Sequence, residues 1–154
     1  MEKKNLYIDF DGVILDTITP LYEEYNKLPE EKQNRDFYVS YPWEAIIDDK
    51  YIINDSINDI YKIIESNKFN LSILTHVNSL KEAILKIHYL RKYFKDITII
   101  PCPKEISKKK MIHTEGSILI VPFNLLPPFI IIFFILHIPQ IFSIVIYAYR
   151  FSWF

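Results

Sequence analysis

The 154-residue chain contains one cysteine and two glycines, and its formal net charge is only −1. The single Cys102 excludes an intramolecular disulfide and any zinc site built from several cysteines. A nearly neutral chain has no basic field for non-specific binding of nucleic acid, so no nucleic-acid partner is expected. No apolar segment of the signal-peptide type follows the polar residues 1–4. Together with the lone thiol, this favours a cytoplasmic protein.

Hydrophobic periodicity predicts alternating strands and helices over residues 6–121. A strand over 6–10 is followed by a helix from about Thr17, and Pro101 is expected to end a later strand. The remaining predicted elements are helices over 56–66, 80–94 and 107–113 and strands over 71–74, 97–100 and 117–121. This alternation favours an α/β fold with a Rossmann-like parallel sheet. Polar side chains that follow the strands should then meet at one edge of the sheet.

The first polar motif is Asp9-Phe10-Asp11-Gly12-Val13, directly after the first predicted strand. Residues two apart project on the same side of a strand, so Asp9 and Asp11 can converge on one ligand. Gly12 permits a sharp turn that keeps this space open. Two carboxylates in one place indicate Mg²⁺ or a split acid and base role. The alternative interpretation is a solvated acidic turn.

Two further motifs follow later strands. Thr75 ends the second strand, where a hydroxyl often bonds only its neighbouring backbone. Lys104 and the run Lys108, Lys109 and Lys110 precede the fourth predicted strand, and such a run is usually a solvated helix face. Each of these two motifs is weak when taken alone.

In this order and spacing, the three motifs resemble the haloacid dehalogenase-like hydrolase superfamily, specifically its phosphatase and 5'-nucleotidase-like branch. The resemblance covers about residues 5–121. It implies a core over 1–16 and 70–121, a small helical cap over 17–69 inserted after the first strand, and a separate hydrophobic tail over 122–154. The protein is then expected to be a phosphoric monoester hydrolase that acts on a small phosphorylated substrate, with a nucleotide as one alternative.

The resemblance also implies a role for each motif residue. Asp9 would be the nucleophile that forms an aspartyl-phosphate, and Asp11 would be the general acid and base. Thr75 would donate to a phosphoryl oxygen, and Lys108, with Lys109 and Lys110 as rivals, would offset negative charge. The Asp9 carboxylate and the Asp11 carbonyl would hold Mg²⁺.

Other residues are assigned to the substrate pocket less directly. Gly12, His76 and Asn78 are predicted to line it, although a structural role is equally open for His76 and Asn78. The cap aromatics Tyr41 and Trp43 either stack on a base or sugar or pack within the cap. Cys102 is expected to be structural, because no base or partner cysteine accompanies it.

The fourth family motif, an acidic pair after the fourth strand, is absent. Residues 117–154 contain no Asp or Glu and only one formal charge, Arg150. Three hypotheses account for this tail: a membrane anchor interrupted by prolines, a buried C-terminal core, or a reading-frame shift near residue 121. The loss of acids leaves an alternative function open, in which the chain is a non-catalytic phosphate-binding or membrane-tethered member of the family.

Overall fold

A five-stranded parallel sheet forms the centre of the protein. The computed structural model describes residues 3–112, 117–122 and 144–148. The strands are β1 (Lys4–Ile8), β2 (Phe69–Val77), β3 (Thr98–Pro103), β4 (Ile118–Pro122) and β5 (Ile144–Ala148), in the spatial order β3-β2-β1-β4-β5. Every neighbouring pair is parallel. The predicted Rossmann-like α/β fold is confirmed.

The α-helices are α1 (Ile18–Tyr25), α2 (Arg35–Ser40), α3 (Ser56–Ser66) and α4 (Leu80–Tyr93). Short 3-10 helices cover Glu30–Lys32, Trp43–Ala45, Asp49–Tyr51 and Lys108–Lys110. The predicted helix over 107–113 is therefore a single 3-10 turn, in which the Ser107 side chain accepts from the Lys109 amide. Residue 113 lies outside the described part of the chain.

Alternate side chains of β1 to β4 enter separate clusters on the two faces of the sheet. The larger cluster joins Leu6, Ile8 and Ile73 to residues of α3 and α4. The smaller cluster, on the other face, contains Tyr7, Leu74, Cys102 and Leu119. Because α3 connects β1 to β2 and α4 connects β2 to β3, both helices pack on the larger cluster.

The segment between β1 and α3 has a small core of its own, made of Leu21, Tyr41, Trp43 and Ile46. We call this segment, residues 17–55, the insertion. It contains α1, α2 and three 3-10 helices. Helix α3 follows it and contributes Ile57 and Ile60 to the sheet cluster. The predicted division into a core and a cap over 17–69 stays a prediction. Within that range, residues 56–66 form α3, which packs against the sheet.

Several strand boundaries differ from the sequence prediction. Strand β2 covers Phe69–Val77 and not only 71–74, so Thr75 lies inside the strand and does not end it. Strand β1 ends at Ile8, so Asp9 and Asp11 both lie beyond its end. Strand β3 continues through Pro101 to Pro103, although proline was expected to stop it. Since β3 is the edge strand beside β2, only one of its two sides must supply hydrogen bonds, and an edge tolerates residues that lack an N–H.

Residues 144–148 pair with β4 through their backbone, with Ile118 opposite Ile144 and Leu119 opposite Val145. The rest of the predicted tail beyond residue 122 lies outside the described residues. Among the residues that are described, no helix is both long enough and apolar enough to cross a bilayer. The anchor and frameshift hypotheses stay predictions from the sequence.

Replacement of Trp43 by alanine should destabilise the fold strongly. Its side chain is buried in the insertion core, and its indole Nε1 donates to the Tyr38 carbonyl at 3.0 Å. We expect the free energy of unfolding, measured by urea denaturation, to fall by about 3–5 kcal/mol. The control Tyr22→Ala removes an exposed ring and should change it by less than about 0.5 kcal/mol. Equal effects of the two variants would contradict this packing.

Candidate active site

The candidate site lies where the direction of the strand connections reverses. Strands β2 and β4 flank β1 on opposite sides, so the connections from β1 to β2 and from β3 to β4 run in opposite directions across the sheet. Open α/β sheets bind ligands outside the carboxyl ends of their strands at such a reversal. Here the Asp9 amide donates to the Ile120 carbonyl at 2.9 Å, so Asp9 sits between the ends of β1 and β4.

A tight turn after β1 separates the two carboxylates. Gly12 has φ 72°, a conformation in which a side chain would be unfavourable, and its amide donates to the Leu15 carbonyl at 2.7 Å. The amide of Ile14 donates to the Phe10 carbonyl at 2.9 Å, and both of these side chains are buried. The sequence prediction for Gly12 as a turn residue matches this geometry, whereas its contact with substrate stays a prediction.

Asp9 is ion-paired with Lys108. The Lys108 Nζ lies 2.5 Å from Asp9 Oδ2, and the Phe10 amide donates to Asp9 Oδ1 at 2.8 Å. Burial raises the pKa of the Asp9 carboxyl above its ordinary value, and Asp11 adds to this effect, while Lys108 opposes it. Of the three rival lysines, Lys109 and Lys110 are exposed and only Lys108 makes this contact.

Asp11 accepts from three side chains. Thr17 Oγ1 donates to Oδ1 at 2.8 Å, while Lys86 Nζ and Thr75 Oγ1 donate to Oδ2 at 2.7 and 3.2 Å. Burial alone would raise the pKa of Asp11, but Lys86 and Thr17 outweigh it and hold the pKa below its ordinary value. The two neighbouring carboxyls thus have pKa values shifted in opposite directions, and Asp11 is the one whose surroundings favour the ionised form.

The sequence analysis missed two residues that contact Asp11, namely Thr17, which it named only as a helix start, and Lys86. Lys86 lies on α4 with its side chain fully buried, and it is also ion-paired with Glu82 at 2.7 Å. Glu and Lys four residues apart usually form a solvated helix pair, so their spacing did not suggest burial. The sequence did contain a signal for the start of this helix, since the spacing of Ser79 and Glu82 is that of a helix N-terminal capping box.

The burial of Lys86 fixes which face of α4 meets the sheet. The apolar residues at helical spacing over 80–94 include Leu80 and Ile84, which would be expected to face the core, but both are exposed. The buried residues of α4 are Glu82, Ala83, Lys86, Tyr89 and Leu90. The expectation is therefore wrong for these two residues, and the helix presents Lys86 to Asp11 instead.

The remaining predicted pocket residues have structural partners. His76 Nε2 lies 3.1 Å from the Ile106 carbonyl, and burial of the ring lowers the pKa of His76. The Asn78 amide and its side-chain Nδ2 donate to Glu82 Oε2 at 2.7 and 3.1 Å. These contacts tie both residues to the framework around Lys86, and substrate contact by either one stays a prediction.

Tyr41 and Trp43 are buried in the insertion core, which matches the packing alternative and leaves their rings covered. A groove of about 330 Å³ lies instead between α1 and α2 on one side and the ends of β2 and β3 on the other. Tyr25 and Tyr38 line it from the insertion, and Asn78 and Lys104 line it from the loops. Arg35 and Glu105 form an ion pair across it.

The oxygen donors present suit a sparsely coordinated Mg²⁺. Each oxygen of the Asp9 and Asp11 carboxylates already accepts a hydrogen bond or an ion pair. A Mg²⁺ ion would therefore have to share the Asp9 carboxylate with Lys108 and the Phe10 amide, and the Asp11 carbonyl would be its second protein ligand. Within the described residues, no group of three or more His, Cys, Asp or Glu side chains could surround a metal. Since Mg²⁺ keeps several waters and binds through one or two carboxylates plus substrate phosphate, this small donor set still fits it.

Comparisons of the chain with protein-family models, with curated proteins and with solved structures found no match. The resemblance to haloacid dehalogenase-like hydrolases therefore depends on the motifs and on the geometry of the site. Residues 118–122 place no carboxylate at the end of β4, where that pattern has an acidic pair. The position of Asn124, the nearest polar residue after β4, lies outside the described residues.

The Cys102 thiol should react slowly in the folded protein. Cys102 is fully buried, and burial raises the pKa of its thiol. A raised pKa reduces the thiolate fraction at any pH below it, and thiolate is the reactive form. Iodoacetamide at pH 8 should therefore label native protein much more slowly than urea-unfolded protein, as measured by mass spectrometry. Labelling at equal rates in the two states would contradict the burial of this thiol.

Proposed function

We propose that the protein is a Mg²⁺-dependent phosphatase that hydrolyses a small phosphate monoester through an aspartyl-phosphate on Asp9. The observation that carries this proposal is the convergence of Asp9, Asp11, Thr75 and Lys108 at the carboxyl ends of three parallel strands. Their contacts join residues distant in sequence, such as Lys108 with Asp9 and Thr75 with Asp11. A solvated acidic turn would not bury these carboxylates beside two ammonium groups.

In the first step, an oxygen of Asp9 attacks phosphorus while the bond from phosphorus to the leaving oxygen breaks. Asp11 donates a proton to that leaving oxygen. In the second step, water attacks the aspartyl-phosphate and gives a proton to Asp11, which releases inorganic phosphate and restores Asp9. Asp11 thus finishes the cycle protonated. Because Lys86 and Thr17 favour its ionised form in the site without substrate, the protonated form has to be restored when the phosphate dianion binds beside it.

The positions of Thr75 and Lys108 support roles in charge stabilisation. Thr75 Oγ1 is next to Asp11, and Lys108 Nζ is next to Asp9, so both donors border the space above the nucleophile. Preorganised donors of this kind are most effective where burial excludes water. A bound Mg²⁺ would supply further positive charge against the phosphoryl oxygens and the buried Asp9 carboxylate.

One observation favours a second candidate function, a non-catalytic phosphate-binding protein. The described end of β4 provides no acid to complete a metal site, and Asp9 and Asp11 are each neutralised by a lysine. Such a protein would be stabilised by inorganic phosphate and would not turn over any ester. Thermal unfolding with added phosphate, run beside the activity assays below, separates these two functions.

Asp9→Asn should abolish turnover. The amide cannot act as the nucleophile, so Mg²⁺-dependent hydrolysis of p-nitrophenyl phosphate should fall by at least about 1,000-fold. The control is Asp59→Asn, which alters an exposed carboxylate on α3 and should leave the rate unchanged. If the full-length wild-type protein shows no Mg²⁺-dependent turnover of this ester or of nucleoside monophosphates, the phosphatase proposal is wrong.

The three adjacent lysines provide a matched comparison. Lys108→Ala should lower kcat/KM by about 100-fold or more, because it removes a buried charge-stabilising donor beside the nucleophile. Lys109→Ala and Lys110→Ala alter exposed side chains and should change kcat/KM less than about threefold. Steady-state kinetics on all three variants test the assignment, and a larger loss at Lys109 or Lys110 would refute it.

A further inference from the structure

The Lys86 ammonium contacts both the proposed site and the framework that supports it. Its Nζ lies 2.7 Å from Asp11 Oδ2, 3.2 Å from Thr75 Oγ1, 2.9 Å from the His76 carbonyl and 2.7 Å from Glu82 Oε1. Two of these four partners, Asp11 and Thr75, are residues of the proposed reaction. The other two belong to the framework that carries them.

These contacts restrict the chemistry of Asp11. Oxygen Oδ2 accepts from both Lys86 and Thr75, whereas Oδ1 accepts from Thr17. Each carboxylate oxygen has about two lone-pair positions. Both positions of Oδ2 are therefore occupied, whereas one position of Oδ1 is not used by these three donors. The Asp11 side chain is about one-fifth exposed, which leaves room for a substrate atom to approach it.

Lys86 also restricts Thr75. A hydroxyl that accepts from an ammonium has its one proton left to donate. In the present structure, Thr75 donates that proton to Asp11 Oδ2 or to the His76 carbonyl. A phosphoryl oxygen above Asp9 would be another acceptor for the same proton, with no change in the side chain's other contact.

The side chain of Lys86 is fully excluded from solvent. The rings of Phe10 and Trp43 lie 5.4 and 5.1 Å from its Nζ, and both rings are buried. Trp43 belongs to the insertion, so the insertion supplies part of the apolar cover over the ammonium. Without water to compete, the ion pairs hold a single geometry more firmly.

We propose that Lys86 is a positioning residue, which holds Asp11 Oδ2 and the Thr75 hydroxyl and thereby presents Asp11 Oδ1 as the oxygen that transfers the proton. This inference rests on the proposed phosphatase function. Loss of Lys86 should let the Asp11 carboxylate turn, and small displacements of a reacting group are costly to rate. Substrate binding should change little, since Lys86 itself is covered by Asp11 and Thr75.

Two variants separate positioning from folding. Lys86→Met leaves the buried carboxylates Asp11 and Glu82 without their shared cation, which is expected to lower the melting temperature. The double variant Lys86→Met with Glu82→Gln removes one charge of each sign and should recover most of that loss. Lys92→Met, an exposed lysine on the same helix, is the matched control.

The diagnostic measurement is the dependence of kcat on the leaving group. p-Nitrophenolate leaves readily without a proton, whereas the alkoxide of β-glycerophosphate requires one. Both Lys86 variants should therefore lose about 100-fold in kcat on β-glycerophosphate and less than about tenfold on p-nitrophenyl phosphate, with KM nearly constant. Lys92→Met should match the wild type on both esters.

The outcomes that overturn the inference are distinct. A double variant with wild-type kcat on both esters would show that Lys86 acts in stability alone. Equal losses on the two esters would show that Lys86 does not act through proton transfer. A wild-type protein that hydrolyses neither ester would overturn the proposed function itself, and the positioning role with it.

Discussion

Two carboxylates at the end of one strand can coexist in a buried site only if cations separate them. Asp9 and Asp11 meet this condition with different lysines, since Lys108 pairs with Asp9 and Lys86 pairs with Asp11. Isolated buried carboxylates would be far less stable as anions. The arrangement of the strand ends, of α4 and of the 3-10 turn at Lys108–Lys110 follows from bringing these two ammonium groups to the two carboxylates.

The same requirement connects the insertion to the sheet. Lys86 remains shielded because Trp43 lies over it, and Trp43 is itself held in the small core of the insertion. A buried ion pair contributes little net stability but is costly to leave half-formed. The insertion core and the ion pairs therefore depend on each other. A substitution in either one should alter the positions of the carboxylates at the strand ends.

The fold and most of the candidate site could be predicted because both follow local rules. Parallel strands place their carboxyl ends together, so Asp9, Asp11, Thr75 and Lys108 were expected to meet. The structure pairs Lys108 with Asp9 and Thr75 with Asp11. Lys86 could not be found in this way. On a helix, a lysine four residues after a glutamate has the same sequence pattern whether the pair is solvated or buried. The burial of Lys86 is seen only in the folded protein, where Asp11, distant in sequence, lies beside it.

The continuation of β3 past Pro101 and the exposed apolar residues of α4 have a common origin. Proline stops an interior strand, and the tolerance of Pro101 depends on β3 lying at the edge, which is a property of the assembled sheet. Likewise, Leu80 and Ile84 have the apolar character of core residues, but they are exposed, while Lys86 of the same helix is buried beside Asp11. Both outcomes depend on contacts between distant parts of the chain, which the local pattern does not contain.

The charge balance of the site bears on its need for a metal. The carboxylates of Asp9, Asp11 and Glu82 face the ammonium groups of Lys86 and Lys108, so the cluster carries one net negative charge. A phosphate monoester dianion would be repelled by this charge, and burial strengthens the repulsion. A divalent cation would reverse the sign of the cluster. Because the end of β4 provides no acid to bind that cation, its affinity should depend on the substrate phosphate as an additional ligand, which predicts metal and substrate binding that reinforce each other.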